Sequence, residues 1–288
     1  MIKKGIILAG GHGTRMSPLT KAVNKQLLPI YDKPLIYYPL SVLMLAGIRE
    51  ILIIVNKGQL SQFKKILSDG KRFGINIKYL EQSTPRGLPD AFILGEKFIG
   101  KDNVALILGD NFFYAQSLTQ KLKDCLKLSS GCKVLLHPVN KPELYGIATI
   151  KNKKIIRLIE KPKKTNSNFA VTGLYFFDNK VISLSKTLKP STRKELEIID
   201  LLKKYKNKNA LKAEFLGRGG AWLDTGSIND FYDTSAFVSA LENRQGLKIA
   251  CLEEIAFNNG WINSKKIIEA MHFYGNCKYS QYLKKLIK

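Results

Sequence analysis

Gly10, Gly11 and Gly13 fall within four positions and are followed directly by Thr14 and Arg15. Glycines this close together let the backbone approach a ligand and turn where a side chain would collide. Successive backbone N–H groups in such a turn form an anion nest, to which Thr14 adds a hydroxyl and Arg15 a permanent cation. Lys25 follows downstream, and no Asp or Glu occurs between Gly10 and Tyr31. A loop this basic is suited to phosphates. Two better-known phosphate loops do not fit it: G-x-G-x-x-G fails at Met16, and G-x-x-x-x-G-K-[ST] occurs nowhere in the chain. For a G-x-G taken alone, a bare turn between strand and helix remains the alternative.

A second chemical signal is Gly109-Asp110-Asn111, at the end of the apolar run Val104–Leu108. An Asp at the carboxyl end of a buried strand is well placed to hold Mg²⁺ against a triphosphate. The same three residues also make an ordinary turn.

The elements that would carry these residues alternate in type. Gly5–Ala9, Glu50–Val55, Asn76–Leu80 and Asn103–Leu108 read as strands, and Pro34–Ala46, Gln59–Leu67 and Leu88–Phe98 as helices. Such alternation predicts an α/β, Rossmann-like, mainly parallel sheet flanked by helices, with ligands at the carboxyl ends of its strands. After a helix at Leu118–Leu128 the text changes. Lys133–His137, Gly146–Ile150, Ile155–Ile159 and Val171–Phe177 are short, β-branched or alternating, and predict an antiparallel extension. From residue 229 the chain turns helical, with Phe231, Ser235, Val238 and Leu241 on one face. The division expected is a core over 1–228, with the antiparallel extension at about 133–215 inside it, and a C-terminal helical segment over 229–288.

Composition bounds the rest. The chain has 288 residues, ample for a sizeable core. Its 47 Lys and Arg against 23 Asp and Glu leave a net charge of +24. The lysines are spread along the chain, with no zinc-finger spacing and no RNA-recognition aromatics, so a solvated surface explains them better than nucleic-acid binding. The charge would still steer anionic substrates inward. Cys125, Cys132, Cys251 and Cys277 form no C-x-x-C pair, no run approaches a membrane span, and the first apolar run is too short for a signal peptide. These features predict a reduced, cytoplasmic protein with no membrane partner.

The opening Leu8-Ala9-Gly10-Gly11-His12-Gly13-Thr14-Arg15, continued by Lys25-Gln26-Leu27-Leu28-Pro29, resembles the nucleotidyltransferases that act on sugar 1-phosphates, whose pattern is L-A-G-G-x-G-T-R-L and K-[QP]-L-[LV]-P. The resemblance runs along essentially the whole chain, with its separate motifs in order. Within the family it is nearest to the thymidylyltransferase branch, which implies transfer from dTTP to α-D-glucose 1-phosphate, giving dTDP-glucose and pyrophosphate. It places nucleotide contacts at Leu8, Gly10, Gly11, Gly13, Thr14, Arg15, Lys25 and Gln26. Gln82 and Gly87 match the base-reading stretch Q-x-x-P-x-G-L-A-Q-A, and a Gln amide offers a pyrimidine imide both a donor and an acceptor. Pro89 and Asp90 depart from that pattern.

The resemblance makes Asp110, and Asp224 in Trp222-Leu223-Asp224-Thr225-Gly226, the Mg²⁺ ligands. It assigns Tyr145, Gly146, Glu160, Lys161, Val171 and Arg193 to the sugar phosphate. Glu160 would accept sugar hydroxyls, and Lys161 would meet phosphate as a point charge. In Pro190-Ser191-Thr192-Arg193-Lys194-Glu195-Leu196-Glu197-Ile198, Lys194 stands where the family has Gly. Arg15, Lys25, Lys161 and Arg193 would be the catalytic cations. Glu242–Lys248 matches the longer C-terminal part of thymidylyltransferases, which implies subunit contacts and a homotetramer. The same resemblance points to dTDP-rhamnose and cell-surface polysaccharide synthesis. Uridylyl transfer from UTP stays open as an alternative, and nucleic-acid binding as a distant one.

Overall fold

The computed structural model describes residues 1–11 and 13–288, so His12 lies outside the described residues. The first half of the chain alternates strand and helix. It runs through β1 (Lys4–Ala9), the short hairpin β2 (Pro29–Ile30) and β3 (Lys33–Pro34), α1 (Tyr37–Ala46), β4 (Glu50–Asn56), α2 (Leu60–Leu67) and β5 (Asn76–Gln82). Next come α3 (Asp90–Leu94), α4 (Glu96–Ile99), β6 (Val104–Leu108), β7 (Asn111–Tyr114) and α5 (Leu118–Leu126). β1 lies between β4 and β6 and is parallel to both, while β5 extends the far side of β4. Ile51 to Val55 are buried without alternation, as expected of a parallel strand covered on both faces.

The chain leaves β1 for one side of the sheet and returns to its other side with β6. The loops after β1 and β6 therefore stand side by side at the switch point where open α/β sheets bind ligands. Gly109 N donates to Leu8 O at 2.9 Å across that junction.

The antiparallel extension is also present. It comprises β8 (Cys132–Pro138), β9 (Gly146–Lys151), β10 (Lys154–Glu160) and β11 (Phe169–Phe177), followed by α6 (Val181–Lys186), α7 (Ile198–Asn207) and β12 (Leu211–Phe215). β11 is antiparallel to β6, β8 and β9, and so joins both halves into one nine-stranded mixed sheet. β12 runs parallel to β8. Finally β13 (Ala221–Asp224) pairs antiparallel with β7, and the chain ends in α8 (Ile228–Gln245), α9 (Leu252–Asn258), α10 (Ser264–Tyr274) and α11 (Lys278–Lys285). Leu252, Ala256, Ile267 and Leu283 of these helices share a core with Leu40 and Leu43 of α1.

Two helix limits and one buried face differ from the sequence reading. The helix expected from Pro34 begins at Tyr37, because Lys33 and Pro34 close a hairpin and the N–H groups of Leu35 and Ile36 donate to Leu28 O and Gln26 O. The helix expected over Leu88–Phe98 breaks at Gly95, where a Cβ would stand 2.8 Å from Ala91 O and 3.1 Å from Ile6 Cδ1. On α8 the buried set is Thr234, Val238 and Glu242, with Phe231, Ser235 and Leu241 only half-buried. Glu242 is accepted inside because Lys33 and Lys248 each donate to it at 2.9 Å. Its helix starts at a capping box made by Ser227 and Asp230 and stops at Gly246, φ +70°. All four cysteines are unpaired, and no helix is long and apolar enough to cross a membrane among the described residues.

Candidate active site

Two clefts open at the carboxyl ends of β1 and β6 and share a wall. The smaller, about 210 Å³, is lined by Leu8, Gly10, Gly11, Gln26, Gln82, Gly87 and Asp110 among others. The larger, about 260 Å³, is lined by Arg15, Asp110, Tyr145, Gly146, Glu160, Lys161, Val171, Arg193 and Asp224 among others. Asp110, Glu195, Leu88 and Leu108 belong to both. The sites expected for nucleotide and for sugar phosphate are thus adjacent, and Asp110 stands where they meet. Gly13, Thr14 and Lys25 line neither cleft. Thr20 Oγ1 donates to Gly13 O at 2.9 Å, and Lys25 reaches the site through Asp110.

The small cleft has amides at its edge and apolar walls. Gly10 has no room for a side chain, since a Cβ there would lie 1.6 Å from Gln82 Nε2. Gln82 is buried, with its Nε2 donating to Asn56 Oδ1 at 3.3 Å. Asn56 Nδ2 in turn donates to Gly11 O at 2.8 Å, and Gly11 N donates back to Asn56 Oδ1 at 3.0 Å. Gln26 is 4% exposed, and its Oε1 is a buried acceptor without a partner among the described residues. Such an atom is costly unless a ligand donates to it. Leu8, Pro85, Leu88 and Leu108 supply the apolar surface. We predict that Gly10→Ala, by displacing the Gln82 amide, weakens nucleotide binding at least about 10-fold, the scale of one buried hydrogen bond. Calorimetric titration with nucleotide checks this, and unchanged affinity would remove Gln82 from the contact.

The carboxylates are placed by the β7–β13 pair. Asp110 immediately precedes β7 and Asp224 ends β13, with Asp224 in register with Asn111. Thr225 closes the junction, its N–H and Oγ1 donating to Asp110 O at 3.1 and 2.8 Å. Lys25 Nζ donates to Asp110 Oδ2 at 2.6 Å and to Thr225 O at 3.1 Å. Burial opposes the charge on Asp110, but Lys25, joined by the Asn111 amide, outweighs it and holds that carboxyl below the ordinary range. Asp224 has no such partner among the described residues. Burial first, then the negative charge of Asp110, pushes its carboxyl up to about 7.

That donor set fits a divalent cation of the Mg²⁺ type. Among the described residues no group of three or more His, Cys, Asp or Glu could enclose a metal, whereas Mg²⁺ uses one or two carboxylates and takes its other ligands from phosphate and water. The under-compensated Asp224 is the charge such an ion would neutralise.

The folded-state pKa of Asp224 lies above its ordinary value, so the folded chain binds the extra proton between about pH 4 and 7. Its contribution to stability therefore falls as pH rises through 7. Melting temperature should drop from pH 5 to pH 8 more in the wild type than in Asp224→Asn, and added Mg²⁺ should raise it more at pH 8 than at pH 5. Parallel curves for the two proteins would contradict the assignment.

In the larger cleft, Arg193 bridges two carboxylates. Its Nη2 lies 3.0 Å from Glu160 Oε1 and 2.6 Å from Glu197 Oε2, and its Nε donates to Glu197 Oε1 at 3.1 Å. Burial and then Glu197 push the Glu160 carboxyl up. Lys161 is exposed on the rim at φ +42°. Lys194 also takes the left-handed conformation, φ +62°, where the motif has Gly. Asp90, the other departure, faces neither cleft and instead binds Arg86.

Sequence reasoning missed Asn111. Buried in the large cleft, it donates to Asp110 Oδ1 at 3.0 Å while its Oδ1 accepts from Gly173 N at 3.0 Å and Trp222 Nε1 at 2.6 Å. Its position directly after Asp110 was the available signal.

The chain and its fold have counterparts among known proteins. A family model described as nucleotidyl transferase matches residues 4–240. The chain belongs to the nucleotidyl transferase family. Relatives within the nucleotidyl transferases include a glucose-1-phosphate thymidylyltransferase of Neisseria meningitidis serogroup A, 51% identical over 99% of both chains. Another, of Mycobacterium tuberculosis, is 44% identical over 99% of both. Two solved nucleotidyl transferase structures share the fold. A Bacillus anthracis protein assigned as a glucose-1-phosphate thymidylyltransferase, in complex with sucrose, superposes with TM-score 0.76 and 40% identity over 81% of this chain and 94% of that one. A UDP-glucose pyrophosphorylase in complex with UDP-glucose superposes with TM-score 0.72 and 27% identity over 85% of this chain and 100% of that one.

Proposed function

We propose that the chain transfers a thymidylyl group from dTTP to α-D-glucose 1-phosphate, giving dTDP-glucose and pyrophosphate. The observation that carries this is the pair of adjoining clefts meeting at Asp110, one edged by amides and the other by Arg15, Lys161 and Arg193 together with several carboxylates, Glu160 and Asp224 among them. Gln82 and the unpaired acceptor of Gln26 suit the imide edge of a pyrimidine, and the apolar wall of Leu8, Pro85 and Leu88 suits a 5-methyl group. The thymidylyltransferase names of the relatives at 44–51% identity support the same reading.

A phosphate oxygen of the sugar phosphate attacks the α-phosphorus of dTTP. The new P–O bond forms as the bond from the α-phosphorus to the bridging oxygen breaks, and the electron pair leaves with pyrophosphate. No covalent enzyme intermediate is needed, so the protein's work is positioning and charge compensation. The triphosphate runs past Gly11, Gly13 and Thr14 toward Arg15 and Lys25, which offset the charge gathering on the α-phosphate and on pyrophosphate. Lys161 and Arg193 hold the attacking phosphate, with Arg193 exchanging a carboxylate for it. Glu160, Gly146, Tyr145 and Val171 seat the sugar. Mg²⁺ held by Asp110 and Asp224 would supply Lewis-acid stabilisation of the phosphate oxygens.

In the same proposal the enzyme is cytoplasmic and homotetrameric, and its product enters dTDP-rhamnose and cell-surface polysaccharide synthesis. Tyr232 on α8 and Phe273 on α10, 74% and 56% exposed, support an assembly built through the C-terminal helices.

The deciding experiment is Mg²⁺-dependent pyrophosphate release from glucose 1-phosphate with dTTP, UTP, ATP, CTP and GTP in turn. Preference for dTTP is expected. Preference for UTP keeps the mechanism and overturns the base assignment, while release with none of them overturns the reaction.

A further inference from the structure

Gln82 ends β5, the loop from β5 to α3 carries Gly87, and the loop before α7 carries Arg193. They touch at one point. Leu196 N donates to Arg86 O at 2.7 Å. Beside this bond Gly87, at φ +105°, leaves no space, since a Cβ would lie 2.2 Å from Leu196 O and 2.7 Å from Leu196 N. The residues on either side of the contact, Leu88 and Glu195, each line both clefts. Next to Leu196, Glu197 receives Arg193 through two bonds and Ser191 Oγ at 2.6 Å. The nucleobase loop and the phosphate-binding Arg193 are therefore joined through a few covalent steps and one backbone hydrogen bond.

Something must hold the Arg86 carbonyl still for that bond to carry information. Ser83, Thr84 and Pro85 make no hydrogen bond among the described residues. The tie comes from the Arg86 side chain, whose Nη2 lies 2.7 Å from Asp90 Oδ1 and whose Nε lies 3.3 Å from Asp90 Oδ2. The Asp90 carboxylate is 2% exposed and sits on the first turn of α3, next to the fully buried Ala91 and Phe92. That burial ties the carboxylate to the packing of α3, whereas the Arg86 side chain lies mostly exposed. A two-point guanidinium–carboxylate fork fixes orientation as well as distance.

We propose that Arg86, clamped by Asp90, is a positioning residue that couples the two half-sites. A nucleotide seated against Gln82 and Gly87 fixes Leu196 and, through Glu197, the guanidinium that receives the sugar phosphate. This rests on the reaction proposed above. By linkage the coupling is reciprocal, so each ligand tightens the other by the same factor.

The test measures the dissociation constant of glucose 1-phosphate by calorimetry, with and without dTTP whose α,β-bridging oxygen is replaced by methylene. In the wild type the nucleotide should tighten sugar-phosphate binding at least about 5-fold, the lower end of typical couplings. Arg86→Met keeps the apolar stem and removes the fork. It should bring that factor below about 2-fold, while affinity for the analogue alone changes less than about 3-fold. Asp90→Asn, which loses the charge but can still accept from Arg86, should give a factor between the two, and it serves as the test if Arg86→Met fails to fold. A wild-type factor retained in these variants, or no coupling in a wild type that binds both ligands, overturns the inference and leaves the reaction standing. A wild type that binds neither ligand overturns the reaction itself.

Discussion

Asp110→Asn should lower turnover at least about 100-fold, the scale of losing one main electrostatic contact to a transition state. The substitution keeps the shape of the side chain. Lys25 Nζ still finds an oxygen acceptor at the position it now reaches at 2.6 Å, and the backbone bonds from Thr225 to Asp110 O are untouched. The fold should therefore survive, with melting temperature within a few degrees of the wild type. What disappears is the negative charge that faces Asp224 at the junction of the clefts. Asp224 then loses a repulsive neighbour, so its carboxyl falls back toward the ordinary range. The measurement is pyrophosphate release across a Mg²⁺ titration. Turnover should stay low even at high Mg²⁺. Near-normal turnover at ordinary Mg²⁺ would take Asp110 out of the mechanism.

The sequence made the position of this residue legible, because a buried aliphatic run followed by Gly-Asp announces both the strand and its end. The alternating half of the sheet was readable for the same reason: strand and helix differ in the period of their apolar residues. Boundaries were less readable wherever a distant partner decided them. Pro34 opens no helix because Leu28 O and Gln26 O claim the next two N–H groups. The polar interior of α8 was hidden too, since Glu242 is buried against Lys248 and against Lys33, 209 residues earlier.

The candidate site divides along the same line. Lys25, Asp110, Glu160, Arg193 and Asp224 carry their chemistry in their residue types, and the clefts gather them directly or through one contact. Two relations could not be seen. Arg193 meets two carboxylates, and nothing in Pro190–Ile198 says that Glu160 will be one of them. Asp90 departs from the motif, and only the folded loop shows that it holds Arg86 while facing neither cleft.

Asn111 is the sharpest case, and Asn111→Leu the second large effect. The side chain is 1% exposed and has three partners. Its Oδ1 satisfies the N–H of Gly173 and the indole of Trp222, 111 residues away, and its Nδ2 holds Asp110 Oδ1. Leu is nearly the same size but offers none of these bonds. Two buried donors left without an acceptor cost about 1–3 kcal/mol each, so a loss of about 2–6 kcal/mol in stability is expected. Turnover should fall at least about 30-fold, because Asp110 loses a bond that orients it.

Stability and orientation are separable through Asn111→Asp. A carboxylate there still accepts from Gly173 and Trp222, so those two donors keep their partner. Burial 3.0 Å from Asp110 raises the pKa of the new carboxyl, and while it is protonated its hydroxyl donates to Asp110 in place of the amide. Once ionised it donates nothing and sets a second negative charge beside Asp110. Melting temperature should thus recover most of the loss seen with Leu at pH 6, and turnover should fall more steeply than in the wild type as pH rises and that carboxyl ionises. Turnover that follows the wild-type pH profile would make Asn111 a packing residue only. A steeper fall assigns to the Asn111 amide the aiming of Asp110 at the junction of the two clefts.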